Sequence, residues 1–196
     1  MTQDRSDPHT LPSNLPAPVD DGAARHLRGA KLPPIELAST DGDTVNLAEL
    51  ARFPHVLFFY PRTGVPGESP GEAWNQLPGA RGCTPQSLGF RALHAEFVKR
   101  DVAVFGVSTQ TTAFQRAFRE RESIPFHFLS DAELALTRAM KLPTFDFPVA
   151  SGGPNTLLRR MGWFVDTGVI EELWYPVFPP DGHARRVLDW LDSPPR

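Results

Sequence analysis

The single cysteine of this 196-residue sequence is the residue best suited to do chemistry. Cys83 stands in the run GARGCTPQS at 79–87, where a Gly-rich loop meets a predicted helix. Pro85 is typical of the first helical turn, because its missing N–H costs nothing there, and Thr84 is the predicted N-cap. The partial positive charge at a helix N-terminus favours a thiolate. This pattern indicates a nucleophilic sulfur.

The alternative interpretation of a lone cysteine is a small buried hydrophobic residue. The sequence favours a reactive thiol, because Gly79, Gly82 and Pro85 mark a loop-to-helix junction and not an apolar stripe. One cysteine excludes an internal disulfide, a Cys-x-x-Cys redox motif and a thiolate zinc cluster. The six histidines show no metal-ligand spacing, so no metal site is expected.

The elements that must position this sulfur alternate between strands and helices. The apolar run at 55–60 predicts a strand buried on both faces. The other predicted elements are a hairpin at 35–47 around Asp41-Gly42, a helical turn at 47–52, helices at 84–99, 112–122 and 130–140 (opened by a Ser-x-x-Glu capping box), strands at 102–108, 126–129, 157–165 and 169–175, and a final helix capped by Asp181.

Two long segments have no clear periodicity and are predicted to be loops. Residues 142–155 are rich in Pro and Gly. Residues 62–82 connect the strongest strand to Cys83, and a loop of that length inside a domain is usually functional or mobile. Alternating elements predict an α/β fold with a mixed sheet and helices on both faces. Functional sites of such sheets lie at the carboxyl ends of strands, where Cys83 falls.

Composition limits the function classes. The net charge of −3 without a basic stripe argues against nucleic-acid binding. We expect no membrane span and no secretory leader, since no apolar run approaches about 20 residues and no basic segment precedes one. One cysteine suits a reducing cytoplasm. Residues 1–25 are predicted to be a disordered arm, or alternatively a partner-binding tail, and residues 26–196 a single domain.

Several motifs together resemble those of the peroxiredoxins, and most closely the bacterioferritin-comigratory-protein or Q type. They are FFYP at 58–61, GCTPQS at 82–87, FGVST at 105–109, LSD at 129–131 and the final hairpin. The resemblance covers roughly residues 30–192. It implies a thioredoxin-like fold with an N-terminal β-hairpin, and reduction of hydrogen peroxide or an organic hydroperoxide by a thiol. No metal, haem, flavin or other cofactor is implied.

The resemblance also implies residue roles. Cys83 matches the peroxidatic cysteine, which becomes a sulfenic acid. The second catalytic residue of the family is an arginine six residues before the aspartate of the late hairpin turn, which is Arg160 when Asp166 is the anchor. An arginine beside the sulfur would stabilise the thiolate and hold a peroxide oxygen. Strand alternation would point the neighbouring Arg159 to the opposite face.

The sequence departs from the family pattern at a hydroxyl position. The family places Pro-x-x-x-Thr-x-x-Cys in one loop, whereas here Pro61 lies 22 residues before Cys83 and Ala80 stands where the threonine is expected. Thr63 could fold back to replace it, or Thr84 could contribute.

The second departure concerns the resolving cysteine. Many relatives have it five residues after the first, where this chain has Leu88. A one-cysteine cycle is therefore implied, with an external thiol (thioredoxin, glutaredoxin with glutathione, or a small thiol) as reductant. The chain is expected to be a monomer or homodimer. The rival hypotheses are a thioredoxin-fold redox-sensing or interaction protein without peroxidase turnover, and a structural domain with an inert thiol.

Overall fold

A computed structural model describes residues 7–68, 71–148 and 155–193 of the chain. The strands are β1 (Glu36–Ser39), β2 (Thr44–Asn46), β3 (His55–Phe59), β4 (Ala103–Ser108), β5 (His127–Ser130), β6 (Thr144–Asp146), β7 (Thr156–Leu158), β8 (Met161–Asp166) and β9 (Val169–Trp174). The helices are α1 (Glu72–Gln76), α2 (Cys83–Val98), α3 (Thr112–Arg121), α4 (Ala135–Met140) and α5 (His183–Leu191), with 3-10 turns at Arg25–Leu27 and Glu49–Arg52.

Seven strands form one mixed sheet in the order β2-β1-β5-β4-β3-β8-β9. The middle strands β3, β4 and β5 are parallel, while β1, β8 and β9 pair antiparallel with their neighbours. Strands β6 and β7 form a separate antiparallel pair. No helix within the described ranges combines the length and apolar character needed to cross a membrane.

Strand β3 lies inside the sheet and is buried along its whole length. Its side chains alternate between two cores, as a period of two requires. Leu57 and Phe59 pack in the core that includes Leu136 of α4. Phe58 packs in the core that includes residues of α2, α3 and α5, with its ring stacked on Phe90 at 4.4 Å between centroids. Helices therefore cover both faces, and the predicted thioredoxin-like α/β class is confirmed.

The N-terminal hairpin and the turn after it agree with prediction. Strands β1 and β2 pair antiparallel around the turn at 41–42, with Leu37 opposite Val45. The predicted helical turn is the 3-10 turn Glu49–Arg52. These segments are predictable because alternation and turn chemistry are both local signals.

The predicted capping box at 130–133 is wrong. Helix α4 begins at Ala135, after Leu134 in a left-handed conformation. Both carboxylate oxygens of buried Asp131 accept backbone N–H bonds, from Leu136 at 3.0 Å and from Thr137 at 2.9 Å. An aspartate therefore caps this helix, and Glu133 is exposed.

Both predicted loops contain regular structure. Residues 62–82 include α1, and residues 142–155 include β6, which pairs with β7. Residues 69–70 of the first loop and 149–154 of the second lie outside the described residues. The predicted strand at 157–165 is interrupted at 159–160, between β7 and β8. The interruption sets Arg160 at the end of a strand instead of within one.

The N-caps predicted for α2 and α5 also differ from the structure. The N-caps of α2 and α5 are Gly82 and Gly182, and neither helix has a side-chain cap, so the assignments to Thr84 and Asp181 are wrong.

The predicted disordered arm at 1–25 falls partly outside the described residues. Over 7–24 the backbone has turns but no strand or helix. This segment nevertheless lies on the domain: Ala24 is fully buried, and the hydroxyl of Tyr175 donates to Asp21 at 2.9 Å.

We expect Asp131→Ala to lower the free energy of unfolding by about 2–3 kcal/mol, because it leaves the buried N–H groups of the first turn of α4 without acceptors. Urea unfolding measures the change. Glu133→Ala, which removes an exposed carboxylate from the predicted capping box, is the control. An equal loss in both variants would contradict capping by Asp131.

Candidate active site

Cys83 is the first residue of α2, directly after the N-cap Gly82. Gly82 has a φ of 104°, a left-handed conformation that favours glycine, and a Cβ there would overlap Pro180. The sulfur thus sits in the first turn of a 16-residue helix, where backbone N–H groups have no intrahelical acceptor. Cys83 is buried, with 3% of its surface exposed.

Arg160 is brought directly against this sulfur. Its Nη2 lies 3.2 Å from Cys83 Sγ, although 77 residues separate the two in sequence. Arg160 precedes Met161, the first residue of β8, which pairs with Phe59 at the carboxyl end of β3. The sheet therefore places the predicted pair at the strand-end site that the sequence indicates.

The guanidinium of Arg160 is surrounded by acceptors but not by carboxylates. The carbonyl oxygens of Gly79, Ala80 and Arg81 lie 3.1–3.3 Å from Nη2, and they share its two N–H groups with the sulfur. No carboxylate lies within ion-pair distance of Arg160 among the described residues, and its Nε is buried without an acceptor there. Because a buried cation needs an anion or strong dipoles, the ionised form of Cys83 is its natural counter-ion.

Gln86 and His183 extend the hydrogen-bond network of Arg160. Nη1 of Arg160 donates to Gln86 Oε1, and Nε2 of Gln86 lies 3.0 Å from His183 Nδ1. Gln86 and His183 are fully buried. Burial lowers the pKa of His183 to about 3, and the charges of Arg186 and Arg160 act in the same direction. The imidazole is therefore neutral at physiological pH.

The neighbouring Arg159 does not contact the sulfur and has different partners. It is half-buried, its Nε donates to the carbonyl of Thr144 at 3.3 Å, and its guanidinium lies 5.9 Å from the ring of Phe145. The prediction that strand alternation points the two arginines to opposite faces is wrong, because residues 159–160 lie between β7 and β8 and both side chains line one narrow cleft.

Thr63 is not hydrogen-bonded to the sulfur. Its hydroxyl donates to Gln110 Oε1 at 3.2 Å, and Gln110 Nε2 donates back to the carbonyl of Thr63 at 3.3 Å. Thr84, the other hydroxyl considered, is buried in the first turn of α2. Ala80 stands three residues before Cys83, where the resemblance leads us to expect a threonine, and its carbonyl accepts from Cys83 Sγ at 3.6 Å.

Arg62 is a second cation near the site that the sequence did not single out. It is half-buried, with its guanidinium 5.9 Å from the Trp74 ring. Burial lowers the pKa of Arg62, while the nearby charge of Cys83 acts in the opposite direction. The available signal was its position just after the Tyr60-Pro61 end of the most apolar strand. Among the described residues, no cluster of His, Cys, Asp or Glu is arranged to hold a metal ion.

The N-terminal segment 7–20 lies over the site. Leu11 lies against Gly82, and Pro18 lies against Gly79. Nη2 of Arg81 donates to backbone carbonyls of this segment at 2.8 and 3.3 Å. Narrow clefts lie beside Arg160 in the described part of the chain, and this segment forms part of the walls of two of them. Access to Cys83 is therefore limited by residues predicted to be disordered.

Comparisons with known proteins agree with this geometry. A family model described as Redoxin matches residues 27–188. The chain is 27% identical over 187 residues to the chloroplastic peroxiredoxin Q of Gentiana triflora, covering 93% of this chain and 76% of that protein.

Two solved structures show the same fold. Peroxidoxin BcpB of Mycobacterium tuberculosis is 25% identical with a TM-score of 0.65, covering 86% of this chain and 98% of that one. Peroxiredoxin Q of Xanthomonas campestris is 25% identical with a TM-score of 0.62, covering 80% and 89%.

Charging the N-terminal segment should expose the sulfur. We expect Leu11→Asp to raise the rate at which Cys83 reacts with a bulky aromatic disulfide by about 5- to 10-fold, because it weakens a contact of roughly 1 kcal/mol over the site. Ser13→Asp adds the same charge at an exposed position and should change little. Equal rates in both variants would show that the segment does not limit access.

His183 should make stability sensitive to acid. Since its pKa is near 6.5 in the unfolded chain and about 3 in the fold, the unfolded state binds a proton between these pH values and the folded state does not. Stability is therefore retained above pH 6.5 and falls with acidification below it. His183→Asn should reduce that slope by about 1.4 kcal/mol per pH unit in denaturant titrations between pH 6 and 4.5. An unchanged slope would contradict a neutral buried imidazole.

Proposed function

Because the chain belongs to the redoxin family, we propose that it is a thiol-dependent peroxidase in which Cys83 reduces hydrogen peroxide or an organic hydroperoxide. The relatives named peroxiredoxin support this function. The observation that carries it is the contact between Cys83 Sγ and the buried guanidinium of Arg160, which has no carboxylate counter-ion among the described residues. An inert cysteine would not need a buried cation beside it.

In the proposed reaction the thiolate attacks one peroxide oxygen. An S–O bond forms as the O–O bond breaks, and the leaving oxygen takes a proton and departs as water or an alcohol. Cys83 becomes a sulfenic acid. Arg160 stabilises the thiolate and donates to the peroxide oxygens through Nη2 and Nε, and first-turn N–H groups of α2 add donors.

We propose that an external thiol completes the cycle. This sequence has no second cysteine, so the sulfenic acid cannot be resolved within it. A first external thiol attacks the sulfenic sulfur, releasing water and leaving a mixed disulfide. A second thiol attacks that disulfide and restores the thiolate. Thioredoxin, glutaredoxin with glutathione, or a small thiol would supply the electrons, in a reducing cytoplasm and with the chain as monomer or homodimer.

The rival function is a redox sensor or interaction protein whose sulfur is oxidised without turnover. The burial of Cys83 beneath residues 7–20 supports it, because a protein reductant must reach the same sulfur. The two functions differ in the second half of the cycle only. Catalytic consumption of peroxide with any thiol donor favours the peroxidase, and oxidation without turnover favours the sensor.

Stopped-flow mixing of the reduced protein with stoichiometric hydrogen peroxide, followed by mass spectrometry, tests the first half. We expect a sulfenic acid on Cys83 far faster than on a free thiol, and no reaction in Cys83→Ser. A rate equal to that of a free thiol would refute the peroxidase function and favour a structural domain with an inert thiol.

Replacing the arginine tests the proposed charge pair. Arg160→Ala should slow peroxide attack by about 10- to 100-fold, because a hydrogen bond to a charged group contributes roughly 1.5–3 kcal/mol. Arg159→Ala removes the same side chain one residue earlier and should stay within about two-fold of the wild-type rate. If Arg159→Ala alone slows the reaction, the assignment of the two residues is reversed.

We propose that the Thr63 hydroxyl donates a hydrogen bond to the peroxide, which requires its side chain to move. To donate to a peroxide oxygen, its hydroxyl must leave Gln110. Thr63→Ala should then slow peroxide attack while Thr63→Ser preserves it, both measured by stopped flow. Equal rates in the two variants would remove Thr63 from the site.

A further inference from the structure

We propose that His183 is a positioning residue of this site: through its Nδ1 it fixes the amide of Gln86, which in turn holds Arg160 against Cys83. The inference rests on the proposed function for its kinetic consequence, but the contacts that carry it are independent of the reaction. It assigns a role to the first residue of α5.

Hydrogen-bonding chemistry fixes the direction of this chain of contacts. A guanidinium only donates, so the group of Gln86 that faces Arg160 must be Oε1. The amide nitrogen of Gln86 then faces His183 and can only donate, so Nδ1 of His183 must be an unprotonated acceptor. The ring proton therefore resides on Nε2.

The surroundings of His183 hold this neutral tautomer. The ring packs edge-on against Phe90, with 5.2 Å between centroids, and against Trp174 at 6.0 Å. Gly162 of β8 provides the space, since a Cβ there would overlap the imidazole. The charged groups that act on the ring, Arg186 and Arg160, also disfavour its protonation.

Packing alone does not account for a histidine at position 183, because its buried polar ring costs free energy. Its Nε2 is buried without a hydrogen-bond partner among the described residues. A buried donor without an acceptor costs roughly 1–3 kcal/mol, which an apolar side chain would avoid. What the histidine adds, and an apolar side chain lacks, is the acceptor at Nδ1. We attribute its presence to that acceptor.

Loss of the acceptor should loosen Arg160. Gln86 Oε1 is the only side-chain oxygen that Arg160 contacts among the described residues, and its direction depends on the other end of the amide. A rotating amide would present its NH2 to the guanidinium for part of the time, and the two donors would repel. Arg160 would then spend less time at 3.2 Å from the sulfur.

A matched pair of variants tests the proposal. Asn and Leu have similar size and shape, but only Asn carries an acceptor, Oδ1, close to the position of Nδ1. We expect His183→Leu to slow peroxide attack on Cys83 at pH 7 by about 5- to 10-fold, corresponding to roughly 1 kcal/mol for one buried hydrogen bond. His183→Asn should restore the rate to within about two-fold of wild type.

Alkylation of Cys83 by iodoacetamide gives a readout that does not depend on peroxidase activity. The midpoint of its pH profile reports how well Arg160 stabilises the thiolate, and it should move up by about half to one pH unit in His183→Leu and not in His183→Asn. This profile keeps its meaning even if no peroxide turnover is found. A purely structural role would lower stability without moving the midpoint.

Three results would contradict the proposed role of His183. Identical rates and pH profiles in wild type and His183→Leu would overturn the proposal, and so would equal losses in both variants at equal stability. Adding His183→Leu to Gln86→Leu should cause no further loss, because both act through one amide; additive losses would contradict the chain of contacts. Should His183→Leu fail to fold, His183→Phe, which retains a ring against Phe90 and Trp174, replaces it.

Discussion

The geometry of the site depends on the buried positive charge of Arg160. Arg160 is 3% exposed, has no carboxylate beside it among the described residues, and directs its guanidinium at Cys83 Sγ. Desolvating a cation in this way is costly unless dipoles or an anion compensate. The carbonyls of residues 79–81 and the amide of Gln86 supply the dipoles, and the sulfur supplies the anion when it ionises. The loop before α2 is therefore shaped as much by the arginine as by the cysteine.

The sheet explains how Cys83 and Arg160, which are distant in sequence, come into contact. Strand β3 ends at Phe59, the chain returns to the same edge at Cys83, and β8 begins beside β3 at Met161. Arg160 lies in the two-residue interval between β7 and β8, so paired strands hold its backbone on both sides, whereas a long loop would leave it freer to move. The small β6–β7 sheet and the rings around Trp74 fill the space next to this edge. The described part of segment 62–82 is therefore packed against these rings and includes α1.

Much of the fold and part of the site could be predicted from the sequence, because the signals for them are local or come from the family resemblance. The apolar run of β3 and the turn at 41–42 determine their elements by period and turn chemistry. The spacing to Asp166 identified Arg160, which no local rule would have chosen over Arg159. The cap by Asp131, the strand β6 and the cover formed by residues 7–20 depend on tertiary contacts, which override local propensity. His183 had one faint signal: Gly162 inside a predicted strand, where a missing side chain often marks a close approach.

The site combines burial of the sulfur with a need for partners from outside. A dry surrounding strengthens the attraction between Arg160 and the thiolate, since charges interact more strongly at low dielectric. The same burial admits a small peroxide more readily than a protein thiol, and this sequence has no second cysteine to resolve the oxidised sulfur. Residues 7–20 form one wall of this enclosure and contain no strand or helix, and contacts such as those between their backbone carbonyls and Arg81 hold them in place. Local opening is easiest where few regular hydrogen bonds must break, so this segment can open at a lower cost in free energy than the sheet that holds Arg160.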